Sequence, residues 1–398
     1  MWIKAKNLDI VLQILLFIAV MGFMNQGINI MVLVCAAVIA VDRWKLHFSG
    51  GLNTFYLLCA FAVAYLGITA LHDIRGLVAI GFPIAFYLGI RAGGDSEKQV
   101  KHMILLLGFG MACHVLLNFG YEIFRFGLST LTNSRHYDIW SGKLSTATGI
   151  MVNGSILTAL LFYFLYYEKQ KKLKFAGLAV LLIMTAYDLA LGGRTFLVLS
   201  VLSILVGLIM SVSMHGISRR ALRRAARFLF ATAVFVLLGL VVYLVYREEF
   251  HDFFESSYFY HRFFRSNAWE DIFKTERIET KLFYIAHMPD YLWGGGELNK
   301  AAGSYAHELW LDIYDQAGVI PYALIMVYTI TSVVRAFKTV RKKELSDAFR
   351  IVVGAFYLIL LAQFFVEPVM AGAPLLAYSY CIVDGMICSM LKRKNIGA

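Results

Sequence analysis

The chain has 398 residues, of which 60% are hydrophobic and 16% charged, with a mean hydropathy of +0.68 and a net charge of +11. Soluble domains average roughly 45–50% apolar and about 25% charged residues, so this composition excludes an ordinary water-soluble globule and points to a chain solvated by lipid. The positive charge needs no nucleic acid to explain it, because its densest run, "RRALRRAAR" at 219–227, borders an apolar span where anionic lipid attracts it.

Runs of about 20 apolar residues mark membrane spans, and about twelve are expected. They lie at 8–24, 27–41, 52–70, 76–90, 102–121, 147–167, 174–191, 195–213, 228–246, 319–337, 350–366 and 374–390. The first follows only Lys4 and Lys6 and precedes no small-residue cleavage site, so it reads as a retained helix. The fold class expected is all-α: a polytopic membrane protein, one transmembrane domain over 1–398, with an extracytoplasmic loop over 247–306 containing short helices.

Most of the 37 lysines and arginines fall in alternate loops, among them Lys169, Lys171 and Lys172, the 219–227 run, and Arg335, Lys338 and Arg341. The positive-inside rule then puts both termini in the cytoplasm. The short outer loops hold only Arg75 and Arg194. The five cysteines all fall inside expected spans and read as packing residues. Asp188 and Asp384 stand out as intramembrane acids that pair within a bundle.

The large loop has three parts. "FHDFFESSYFYHRFF" (250–264) interleaves aromatics with charges, as an interfacial helix or an aromatic platform does. "TERIETKLFYIAHM" (275–288) sets Ile278, Leu282 and Ile285 on one helical stripe and Arg277, Lys281 and Tyr284 on another. This suits a helix on the membrane surface, or one presenting two cations to a phosphate. "PDYLWGGGE" (289–297) breaks that helix, and its glycine run lacks the Lys-Ser/Thr of a P-loop.

"GSYAHELWLDIYDQAG" (303–318) follows. Ser304 is expected to cap a short helix whose first turn holds His307 and Glu308, with Asp312 and Asp315 further along and Gly318 and Pro321 at its end. In that first turn the helix dipole disfavours an imidazolium and keeps His307 neutral.

Three elements occur in order on one expected membrane face: an Arg directly after a span ("LALGGRTFLVLS"), an Arg opening an amphipathic helix that runs into a Gly-rich turn ("ERIETKLFYIAHMPDYLWGGG"), and a His-polar pair leading a short helix ("AHELWLDIYDQAGVIPY"). Over roughly 185–335 this resembles the O-antigen ligase and polymerase superfamily of bacterial membrane glycosyltransferases. Family members often carry Asn, Ser or Gln where Glu308 stands, and Trp near Leu282 and Phe283.

The resemblance implies a multi-pass protein of the bacterial plasma membrane. It implies an enzyme that polymerises or transfers oligosaccharide from a polyprenyl diphosphate to an acceptor glycan or lipid at the outer face, with no cofactor and no metal. Other polysaccharide-assembly membrane proteins are expected partners. The site residues implied are Arg194, Arg277 and Lys281 on the diphosphate, and His307 with Glu308 at the attacking hydroxyl. The alternatives are a ligase attaching finished glycan, and a lipid-linked glycan flippase.

Overall fold

In lipid a backbone amide finds no water to bond, so a spanning segment satisfies its own hydrogen bonds as a helix. In the computed structural model, which describes residues 5–41, 51–69, 74–92, 96–127, 130, 133–215, 255, 260 and 276–396, the chain is mostly helical. The helices are α1 (Ala5–Val20), α2 (Gly27–Val41), α3 (Leu52–Thr69), α4 (Gly81–Ala92) and α5 (Glu97–Phe126). A short hairpin, β1 (Arg135–Tyr137) with β2 (Leu144–Thr146), precedes the broken helix α6 (Ala147–Met151), α7 (Ser155–Ala159) and α8 (Leu161–Tyr166). Then come α9 (Lys171–Ala190), α10 (Thr195–His215), α11 (Glu276–His287), α12 (Glu297–Ala302) and α13 (Leu309–Ala317). The chain ends with α14 (Val319–Arg341), α15 (Asp347–Phe364), α16 (Val369–Gly372) and α17 (Pro374–Ile396).

Seven of the described helices are long and apolar enough to cross a bilayer, and Ile10–Val20, Asn53–Thr69 and Gly76–Ala92 are shorter apolar helices. The expected span at 228–246 and the aromatic run 250–264, apart from Glu255 and Tyr260, lie outside the described residues. Two spans, α9 and α10, present much of their apolar surface outward, with Phe175, Leu182, Val198 and Ile209 exposed. That is the pattern of helices facing hydrocarbon.

The centre of the bundle is different. α17 is largely buried and lies against α4, where backbones meet at glycine. A Cβ on Gly89 would stand 2.0 Å from the Ile382 carbonyl oxygen, and one on Gly385 would stand 2.3 Å from that of Phe86. Small residues at a helix crossing let dispersion act between main chains, which matters where lipid tails offer no hydrophobic drive.

The region at 122–146, between two expected spans, carries regular structure of its own. α5 runs on to Phe126, and the hairpin pairs antiparallel in the register Arg135↔Thr146, His136↔Ser145, Tyr137↔Leu144. Buried His136 bonds the Tyr187 hydroxyl through Nδ1 (2.9 Å) and the Thr130 carbonyl through Nε2 (2.9 Å). Thr130 donates to Glu122 (2.9 Å), whose other oxygen accepts the Tyr137 N–H at 2.5 Å. At the tip, Asp138 accepts from the Ser141 N–H and meets His114 at 2.6 Å. Although burial pushes its carboxyl up, the His114 and Ser141 bonds hold it well below the usual carboxylate range. These bonds tie the hairpin to α5 and α9.

Two sequence expectations about charge change. Arg335, counted with the cytoplasmic cations, lies inside the bundle on α14 and pairs with Asp384, so it does not inform orientation. Asp384 pairs as expected, whereas Asp188 is packed against Gly193 and its Oδ2 has no hydrogen-bond partner among the described residues.

Candidate functional site

The segment 276–318 folds over the start of α14 as a small subdomain with its own core of Tyr284, Leu298, Ala306, Leu311 and Tyr314. Each buried leucine there contributes about 1.5–3 kcal/mol relative to exposure. Helix α11 forms as its two stripes dictate. Tyr284 and Thr280 turn inward, while Ile278, Leu282 and Ile285 stay exposed on the outer side.

The glycine run is explained by the end of α13. A helix leaves its last carbonyls without partners; here the Gly295 N–H donates to Gln316 O (3.1 Å) and the Gly296 N–H to Asp315 O (2.8 Å). The Asp315 carboxylate reaches back to accept the Asn299 N–H (3.0 Å) in the first turn of α12. The turn's amides are therefore spent on structure, and Asp315 is a cap.

Gly318 joins α13 to α14 with φ +77°, and a Cβ there would lie 2.4 Å from the Leu292 carbonyl oxygen. Both the left-handed backbone and the clash with main chain forbid a side chain. Gly318→Ala is expected to cost several kcal/mol, of which roughly 1–3 kcal/mol is backbone strain. A drop in melting temperature of the purified protein checks it, and an unchanged melt would mean that the turn is not formed this way.

The expected helix start is corrected. Ser304 is not a cap. The first helical residue is Leu309, with Glu308 in the cap position, and His307 lies before the helix in a left-handed conformation at φ +54°. His307 is therefore not in the first turn, and the argument that a helix dipole keeps it neutral falls with that placement. It stands half-buried, its ring 6.2 Å from that of Tyr305. The acids of this stretch, Glu308, Asp312 and Asp315, are all buried.

Lys281, Glu308 and Arg277 do gather around one turn of chain. Lys281 Nζ lies 3.5 Å from Glu308 Oε2 and donates to the Phe365 carbonyl. One turn earlier on α11, Arg277 Nη1 donates to the Val366 carbonyl at 3.4 Å. The next residue of that turn is Glu367, which sequence reading missed. Its signal was present: an acid followed by proline directly after an apolar span, in "FFVEPVM".

Arg194 belongs to the same end of the bundle. Leu199 packs with Ile359, while a Cβ on Gly354 would meet Met210 Sδ at 2.5 Å. Helices α10 and α15 are therefore antiparallel, and the residue preceding α10 stands at the end where 365–367 turns.

Electrostatically this is a cluster of buried carboxylates with two cations over it. Burial raises the Glu308 carboxyl, opposed by Lys281. Burial, then Asp315 and Glu308, pushes Asp312 up to about 8. Burial lifts Glu367 to about 7 against the pull of Arg277, the Thr148 hydroxyl and Lys281. Shifts of this size, made by burial beside specific charges, are characteristic of functional sites. No protein-family model matches the chain, and no curated protein matches it.

Proposed function

We propose that this protein is a membrane glycosyltransferase that takes oligosaccharide from a polyprenyl-diphosphate donor. The observation that supports it most is the placement of Arg277 and Lys281, one turn apart on a surface helix, over the acid-bearing turn that ends α15. Guanidinium and ammonium groups fixed at the rim of an apolar bundle match a diphosphate whose lipid tail runs down the helices. In the transition state the leaving diphosphate gains charge, and preplaced cations stabilise that charge more than the ground state.

In this reading the chain crosses the plasma membrane of a bacterium about twelve times, with both termini in the cytoplasm and the 247–306 loop outside. Arg194 contributes a third cation at the same end. His307 and Glu308 line the wall where the acceptor enters. Polymerase is preferred over ligase because the outer loop is modest in length. A flippase is disfavoured because the buried Arg335–Asp384 pair is fully engaged and the unusual acids gather at one end, not at midplane.

The test is direct. Purified protein in lipid vesicles is given a polyprenyl-diphosphate-linked oligosaccharide, and products are resolved by gel and mass spectrometry. Chains of joined repeat units with release of lipid diphosphate are expected. Movement of the donor across the vesicle wall with no new glycosidic bond would replace this reading with transport.

A further inference from the structure

Glu367 is buried, with 6% of its surface exposed, one residue before Pro368 in the turn leaving α15. That turn supplies the carbonyls of Phe365 and Val366 to Lys281 and Arg277. Two cations thus lie over the acid yet direct these N–H groups at its neighbours. No described group donates to Glu367 Oε1. A buried acceptor left unbonded is destabilising, and native structures seldom keep one without a use.

The donor that fits this oxygen is an O–H or N–H delivered beside an anion that Arg277 and Lys281 attract. If the proposed reaction holds, on which this inference rests, the anion is the donor diphosphate and the O–H belongs to the acceptor sugar. We propose that Glu367 is the catalytic base, taking the proton of the attacking hydroxyl. The hydroxyl oxygen bonds the anomeric carbon as the bond from that carbon to the diphosphate oxygen breaks. The bonding pair leaves with the diphosphate, where the two cations receive it. The proton rests on Glu367 and passes to the departing diphosphate or to water.

The alternatives are less well placed. Glu308 is engaged by Lys281 at 3.5 Å. His307 lies ahead of α13 rather than in its first turn, in a left-handed conformation at φ +54°.

Charge around Glu367 sets the pH dependence. Arg277 and Lys281 face it from α11, the Thr148 hydroxyl faces it from α6, and Glu308 on the α13 side pairs with Lys281. A base must be ionised to act. With a carboxyl at about 7, turnover climbs through neutral pH and levels above it.

The experiment compares full-length protein in lipid vesicles with Glu367→Gln, Glu367→Asp and His307→Ala. It records kcat and KM for transfer between about pH 5 and 9, and separately the binding of a polyprenyl diphosphate carrying no sugar. Glu367→Gln is expected to bind that lipid as the unmodified protein does, to lose about 10²–10⁴-fold in kcat, and to lose the acid limb. Glu367→Asp keeps an acid limb with lower kcat, and His307→Ala keeps it too. Transfer by Glu367→Gln at close to the unmodified rate, or with its acid limb intact, overturns the assignment. So does loss of lipid binding in step with transfer, which would make Glu367 a support for the cations. Should Glu367→Gln fail to fold, the pH profile of Glu367→Asp decides: an unmoved limb overturns the role. Failure of the underlying function shows elsewhere, in an unmodified protein that forms no glycosidic bond, and removes both.

Discussion

Arg277→Ala is expected to lower glycan transfer by about 100-fold or more while leaving the fold intact. Removing one preorganised donor to a developing anion costs on the order of 3 kcal/mol, and each 1.36 kcal/mol is about tenfold in rate. The fold should survive because Arg277 is exposed and its bond to Val366 is a long one at 3.4 Å. Lys281→Ala should cost more than transfer alone, since Lys281 also bridges Glu308 and the Phe365 carbonyl, tying α11 to α13 and α15. Arg277→Lys tests geometry: a point charge replaces a planar fork, so partial recovery is expected. The measurement is kcat and KM in vesicles, with melting temperature as control. Normal turnover by folded Arg277→Ala would mean that the diphosphate lies elsewhere.

How much of this was legible in the sequence differs by element. Spans were legible because 20 apolar residues admit few other readings, and α5, α9, α10, α14, α15 and α17 stand where hydropathy put them. The stripes of α11 were legible too, because period 3.6 sorts Ile278, Leu282 and Ile285 from Lys281 and Tyr284 whatever the surroundings. The start of α13 was not. Ser304 looks like a cap locally, but Gly303 at φ +71° ends α12 and turns the chain, and Ala306 is drawn into the subdomain core, which shifts the helix start to Leu309.

Long-range pairing was the least legible. Nothing near Glu367 in the chain announces Arg277 or Lys281, which are brought to it by the docking of α11 over the end of α15. Likewise Arg335 reads as one more basic residue of a cytoplasmic cluster until α17 places Asp384 beside it. The glycine run was ambiguous for a related reason. Amides that bind phosphate and amides that cap a helix look alike in sequence, and here the carbonyls of Asp315 and Gln316 take them.

Asp384→Ala is expected to destabilise the bundle by about 3–5 kcal/mol. Arg335 donates through Nε (2.9 Å) and Nη2 (2.5 Å) to the two oxygens of Asp384, and through Nη1 to Thr54 (3.0 Å). Tyr357 adds a 2.6 Å bond to the same carboxylate, and the guanidinium lies 5.7 Å from the Phe86 ring. Asp384 is fully buried, so removing it strands a guanidinium that lies about 24 Å along α14 from the site end. The loss therefore comes from an uncompensated charge, not from a missing contact. The double change Arg335→Met with Asp384→Leu deletes both charges and is expected to melt close to the unmodified protein. Glycan transfer should survive in that variant, since the pair lies far from the cations proposed to receive the diphosphate. A stable double variant without transfer would show instead that this pair takes part in function, and would return the transport reading to favour. An Asp384→Ala protein melting like the unmodified one would mean that Arg335 finds water, and that the bundle is open where it is drawn closed.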